Sequence, residues 1–321
     1  MSDSKLKINL SDDQIDQVLE RMSNAFRQLP RSPILHKPSE VGLAYEEITF
    51  PSIDGVALEG WFIPCRGSDR LIIVNHPMGF TRSGLPSHLE PWKSIWNASG
   101  NDIEVNFIPD FKILNNAGYN VLAYDLRNHG LSDAGNGGVV STGIFESRDV
   151  LGSIQYVNKR PDLKSMRVAL FSRCLGADAT MYAMKQDPRA FDNIRCLLAA
   201  QPISEEIILT KQLLLSGIHQ RYIKDLDEKI VMKTSLSIAE RNAGLWAEFV
   251  NIPTFIYQVH DDVLTDPLDV QTMYEQIPTK DKRLHWIYNS TVRWDGYLEF
   301  QIRPGPMLEW FEEHFADKQT K

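Results

Sequence analysis

The sequence predicts a doubly wound, mostly parallel α/β sheet carrying an inserted helical cap, and three observations lead there. First, residues 71–77, 119–125, 167–172, 195–202, 253–261 and 283–288 are short, almost unbroken apolar runs. Strands buried on both faces read this way, whereas half-solvated strands alternate. Second, helix-forming stretches at 104–117, 144–159, 176–186, 267–276 and 304–315 fall between those runs or after the last. Strand–helix alternation of that kind builds a parallel sheet with helices on its faces. Third, the fourth and fifth runs are separated by 203–250, several helices' worth of chain and too long for a crossover.

Taken in order, residues 11–28 place Ile15, Val18, Leu19, Met22 and Phe26 at helical spacing, with Ser11 as N-cap. That stripe is expected to pack on the body of the protein, with a homodimer contact as the lesser reading. Residues 41–64 hold two alternating runs split by Ser52-Ile53-Asp54-Gly55, a hairpin signal. The six buried runs and their helices follow. The expected organisation is a lead-in at 1–40, one core made of 41–202 and 251–321, and the cap at 203–250.

Composition narrows the function classes. With 43% apolar and 10% aromatic residues the chain is not intrinsically disordered. The 42 acidic against 34 basic side chains give a net charge of −8, which argues against nucleic acid or an anionic membrane as partner. No apolar run approaches the roughly 18 residues of a spanning helix, and the start lacks a signal peptide's apolar stretch. Cys65, Cys174 and Cys196 are too scattered for a disulfide framework or a zinc cluster. The expectation is a soluble, cytoplasmic protein without metal or cofactor.

The sharpest local feature is Ser172-Arg173-Cys174-Leu175-Gly176. A buried strand ends there and a helix begins, and so abrupt a turn leaves no room for bulk two positions either side of its central residue. Ser172 and Gly176 are the small residues at those positions. This is the G-x-S-x-G turn with serine for the first glycine and Cys174 as nucleophile. Ser172 as nucleophile would put Leu170 and Cys174 at the flanks, which is sterically worse. A helix N-terminus also favours a thiolate.

The chain from about 41 to 315 resembles the α/β-hydrolase superfamily. The resemblance rests on His-Pro-Met-Gly-Phe (76–80), Tyr-Asp-Leu-Arg-Asn-His-Gly-Leu-Ser (124–132), the turn at Cys174, and Asp262 in Asp-Val-Leu-Thr. A cysteine at the turn is similar to the dienelactone hydrolases. The resemblance implies an oxyanion hole from Leu175 with Met78 or Gly79, since Pro77 has no N–H. It implies Asp262, with Asp261 as rival, as the triad acid. It also implies a histidine after the last strand, but 289–300 contains none; Arg293 and Trp294 stand there instead.

Three readings follow from that departure. Arg293 could pair with Asp262 and stabilise a thiolate, or bind a substrate carboxylate as a two-pronged fork. A histidine from elsewhere could be the base: His76, His88 or His260, with His129 read as structural. Or the site no longer hydrolyses. The expected function is acyl-group chemistry at Cys174 on a small-molecule ester, thioester or activated ketone. The alternatives are a cyclase, acyltransferase or lyase, and a silent ligand-binding protein. His88, Trp92, Trp96, Phe107, Trp246 and Trp294 are the candidates for lining the pocket.

Overall fold

The computed structural model describes residues 10–316. Its strands are β1 (Glu46–Pro51), β2 (Ala57–Ile63), β3 (Arg70–Asn75), β4 (Gly84–Leu85), β5 (Val105–Asn106), β6 (Asn120–Tyr124), β7 (Arg167–Arg173), β8 (Ile194–Ala200), β9 (Thr254–Val259) and β10 (Lys282–Ile287). The helices are α1 (Asp12–Asn24), α2 (Trp92–Trp96), α3 (Ile108–Asn116), α4 (Ser147–Lys159), α5 (Leu175–Gln186), α6 (Glu205–Leu215), α7 (Ile223–Thr234), α8 (Pro267–Gln276), α9 (Arg293–Ile302) and α10 (Gly305–Phe315).

Eight strands form one sheet in the order β1-β2-β6-β3-β7-β8-β9-β10, while β4 and β5 pair separately. The hairpin β1–β2 and the β2–β6 pair are antiparallel; every other neighbour is parallel. The unbroken apolar runs have a direct cause. In β3, Leu71 and Ile73 join one buried cluster with α4, α5 and α8, and Ile72 and Val74 join the other with α3, α9 and α10. Successive side chains point to opposite faces, and both faces are covered. From β3 the chain passes to β6 on one side and returns to β7 on the other. The C-terminal ends of β3 and β7 therefore flank a topological switch point, where open α/β sheets form their crevice.

Helix α1 starts with a capping box in which Ser11 and Gln14 bond reciprocally. Its stripe is spent within the chain. Leu19 and Phe26 share a cluster with Leu209, Leu213, Leu226 and Ile230 of α6 and α7. Lys229 and Lys233 reach back to Asp16 (2.9 Å) and Glu20 (2.5 Å). The stretch between β8 and β9 holds α6, α7 and short 3₁₀ turns as far as Phe249.

One element differs from the sequence reading. Residues 293–302, read as part of a loop, form α9. Trp294, Tyr297 and Phe300, three apart, bury their rings on the same face of the sheet as α3 and α10. Gly296 allows this approach, because a Cβ there would run into the Gln201 side chain.

Candidate active site

Strand β7 delivers Cys174 into a backbone conformation, φ 46° and ψ −116°, that L-residues avoid. The surroundings over-determine it. The Cys174 N–H donates to Ala200 O (2.8 Å) on β8, and its carbonyl accepts from Ala177 and Asp178 (2.7 and 2.9 Å) as α5 begins. A Cβ on Gly176 would lie 2.6 Å from Asn75 Cβ and 2.7 Å from Asn75 O, so only glycine lets α5 start this close to β3. Ser172 is fully buried, its hydroxyl held by Asn75 Nδ2 (2.8 Å) and Thr180 (2.9 Å), and Tyr124 holds Asn75 Oδ1 (2.6 Å). Ser172 therefore braces the turn. Leu175 is the first residue of α5, so its N–H has no acceptor within the helix. Met78 is half-buried, and Gly79 (φ +79°) closes the turn in which Phe80 N–H meets Pro77 O (3.2 Å).

Arg293 opens α9 and is buried, not solvent-facing. Its Nη1 donates to Asp262 Oδ2 (2.8 Å), its Nη2 to Gln201 O (2.5 Å) and its Nε to the Tyr297 hydroxyl (3.0 Å). Each nitrogen of the guanidinium thus has a protein partner, so Arg293 is held in place by its neighbours and is not a free fork at the surface. The Asp262 carboxylate is sealed from solvent, and its other oxygen accepts from Leu264 N–H (2.9 Å). Asp261 is exposed and pairs with His260 (2.8 Å). Gln201, itself at φ 54°, clasps the arginine from both ends. Its backbone oxygen meets the guanidinium, and its side-chain amide donates to the Arg293 carbonyl while accepting from Val259 N–H (3.1 Å).

The guanidinium and the Tyr297 hydroxyl both act on the Cys174 sulfur. Burial pushes the thiol above its ordinary pKa. Arg293 opposes that shift, Asp178 adds to it, and a hydrogen bond from Tyr297 lowers it. The resting sulfur thus keeps its proton, next to a fixed positive charge. Sequence reasoning missed Tyr297 and Gln201. Tyr297 carried a signal, being one helical turn after Arg293, but only once 293–302 is read as a helix.

No protein-family model matches the chain. Solved structures do. An esterase of Pyrococcus furiosus superposes with a TM-score of 0.66 at 20% identity, covering 91% of this chain and 99% of that one. The fold is that of the α/β hydrolases. The α/β hydrolase GrgF from a Penicillium species follows with a TM-score of 0.58 and 15% identity over 86% of this chain and 100% of its own. A dienelactone hydrolase from Anabaena variabilis gives 0.54 and 14% over 85% and 99%.

Within this α/β-hydrolase fold the histidine candidates fare differently from the sequence expectation. Both ring nitrogens of His76 are engaged by the backbone: Nδ1 donates to Pro77 O (2.7 Å) and Nε2 accepts from Leu126 N–H (2.9 Å). Burial holds it well below its usual pKa, as a neutral ring. No nitrogen is left to take a thiol proton, so His76 is a brace between β3 and the turn after β6. His129 packs edge-on against it, 5.1 Å between ring centres, with Nδ1 on Arg127 O (2.8 Å). His88 is exposed.

The aromatic candidates divide by face. Trp294 shares the cluster of Cys174, donates its indole N–H to Ser87 Oγ (2.9 Å), and packs on Phe80, Trp96 and Tyr297 with centroids 5.2, 5.0 and 5.3 Å away. Trp92 is half-buried against the same cluster. Trp246 is not on that face. It sits in the opposite cluster, edge-on to Tyr182 (4.8 Å) and above Gly143, as a core residue. Among the described residues no group of three or more metal-ligating side chains occurs, and no helix is long and apolar enough to cross a membrane.

Proposed function

We propose that this protein is an acyl-group enzyme in which Cys174 attacks the carbonyl carbon of an ester, thioester or activated ketone. The observation that carries the reading is the strained Cys174 at the strand–helix turn, set against a buried Arg293–Asp262 pair. Backbone strain of this kind costs about 1–3 kcal/mol and persists where it aims a reactive group. The Leu175 N–H, with that of Met78 or Gly79, would receive the developing oxyanion. Arg293 holds its proton at any working pH, so it supplies charge and no base.

A non-hydrolytic outcome, by cyclisation, acyl transfer or C–C cleavage, is favoured by one further observation. Among the described residues no histidine is paired with Asp262, so water lacks the activation that the usual acid–histidine pair provides. Mixing the protein with a nitrophenyl ester and measuring intact mass tests both points. A persistent adduct on Cys174, absent in Cys174→Ala and discharged faster by an added alcohol or amine than by water, is the expected result. Fast turnover in Cys174→Ala would overturn the nucleophile. No adduct and no turnover with any carbonyl substrate would favour a ligand-binding protein.

A further inference from the structure

A thiol that keeps its proton needs a route for it, and most candidate groups are committed elsewhere. Arg293 holds its own proton. Both oxygens of Asp262 accept bonds, from Arg293 and from Leu264 N–H, and both nitrogens of His76 are engaged by the backbone. The Tyr297 hydroxyl differs. It accepts from Arg293 Nε at 3.0 Å and still has a hydrogen and a second lone pair to place. It is hydrogen-bonded to the Cys174 sulfur. The fold fixes that contact. Arg293 and Tyr297 stand four apart on one face of α9, and the arginine is itself held by Asp262 and Gln201. The Tyr297 ring is buried, edge-on to Phe80 and tilted against Trp294, with centroids 5.3 Å away in each case. A hydrogen-bonded chain therefore runs Asp262–Arg293–Tyr297–Cys174, where the usual one runs from acid through histidine to nucleophile.

We propose that Tyr297 is the proton relay of this site, its hydroxyl taking the thiol proton of Cys174 while giving its own hydrogen to the leaving group. The inference rests on Cys174 being the nucleophile. The leaving atom is bonded to the carbon that the sulfur attacks, so a hydroxyl touching the sulfur is within reach of both. As the sulfur–carbon bond forms, the carbonyl π pair moves onto oxygen. In the same step the thiol proton passes to the Tyr297 oxygen and the hydroxyl hydrogen to the leaving atom. The oxyanion pair then re-forms the carbonyl, and the bond from carbon to the leaving atom breaks. An acceptor alcohol, amine or water runs the sequence backwards: its proton goes to the Tyr297 oxygen, and the hydroxyl hydrogen returns to sulfur as the thioester opens. The phenol is neutral before and after each half. That suits its surroundings, since burial holds Tyr297 well above its ordinary pKa, with Cys174 adding to the shift and Arg293 opposing it. A phenol so placed passes a proton through and does not store an anion.

The test is the rate of Cys174 acylation, read by intact mass, with nitrophenyl acetate and trifluoroethyl acetate. Nitrophenolate departs without a proton; trifluoroethoxide needs one. Tyr297→Phe keeps the ring and removes the hydroxyl. It is expected to slow the trifluoroethyl ester about a hundred-fold or more and the nitrophenyl ester far less. A purely structural tyrosine would slow both alike, and that result, or no slowing of either, would overturn the relay while leaving Cys174 as nucleophile. Should Tyr297→Phe not fold, 3,5-difluorotyrosine at position 297 decides. It keeps the hydroxyl and nearly the same shape but is the stronger acid. Its weaker hold on the thiol proton affects both esters equally, whereas its readier donation helps only trifluoroethoxide. A narrower gap between the two rates is expected, and an unchanged gap would overturn the relay. Absence of any Cys174 adduct in the wild type would remove the nucleophile reading, and this one with it.

Discussion

Replacing Arg293 by methionine keeps much of its length and removes its charge and all three of its hydrogen bonds. Asp262, fully enclosed, is then left without a cation, and breaking a buried pair from one side costs about 3–5 kcal/mol. Gln201 O and the Tyr297 hydroxyl each lose a donor as well. Allowing about 1 kcal/mol for the two together, since either could turn or admit water, the sum is about 5 kcal/mol. Unfolding entropy of roughly 2 cal/mol/K per residue over this chain converts that to a fall in Tm of about 7 °C. The assay is calorimetry with urea denaturation as a check. Adding Asp262→Leu removes the stranded charge, so the double variant is expected to recover more than half of the loss. Cys174 alkylation by iodoacetamide is expected to slow in Arg293→Met, because the charge that offsets burial of the thiol is gone. Arg293→Met within about 1 kcal/mol of wild type, alkylating at the same rate, would refute the view that this arginine organises the site.

Two further expectations concern the turn and the paired histidines. Cys174→Gly is expected to be more stable than Cys174→Ala by about 1 kcal/mol in urea, since only glycine is at ease at φ 46°; equal stability would mean that no strain is stored there. His129 is held below its ordinary pKa by burial, so the unfolded chain binds its proton first as pH falls below about 6.5. The wild type is therefore expected to lose stability relative to His129→Phe by up to about 1.4 kcal/mol per pH unit between pH 6.5 and the lowered folded pKa. A stability difference that stays constant between pH 5 and 7 would show that His129 carries no such shift.

Most of the sheet could be read from the sequence because its physics is local. A strand buried on both faces must be apolar through its middle, and β3, β6, β7 and β8 all are, with polar residues such as Arg70, Asn75, Asn120, Arg167 and Arg195 confined to positions at or next to their ends. What escaped was set by tertiary contact. Helix α9 contains Gly296 and three aromatics, a poor local signal, and it forms because those rings find the sheet and Gly296 clears Gln201. The pairing of Arg293 with Asp262 could be anticipated from chain order alone, since each follows the end of a strand at the same edge of the sheet. The engagement of His76 could not, because its partners, Pro77 O and Leu126 N–H, are backbone groups without a sequence signature. Trp246 went astray for a related reason. Its segment lies near the mouth of the crevice in sequence terms, yet the ring turns to the other face.

The contact between α1 and α7 has a practical side. It joins positions as much as 213 residues apart, as from Glu20 to Lys233. Loop-closure entropy grows only with the logarithm of length, so so long a span costs about 1 kcal/mol more than one of about fifty residues. The first helix thus acts as a latch on the insertion. Deleting it would uncover Leu209, Leu213, Leu226 and Ile230 together, an oily face prone to self-association. A purification tag at the amino end joins the chain, in sequence, next to that latch, whose ion pairs run from Asp16 and Glu20 to Lys229 and Lys233. A tag at the carboxyl end departs beyond Phe315, whose carbonyl meets Arg167 at the far end of β7 from Cys174.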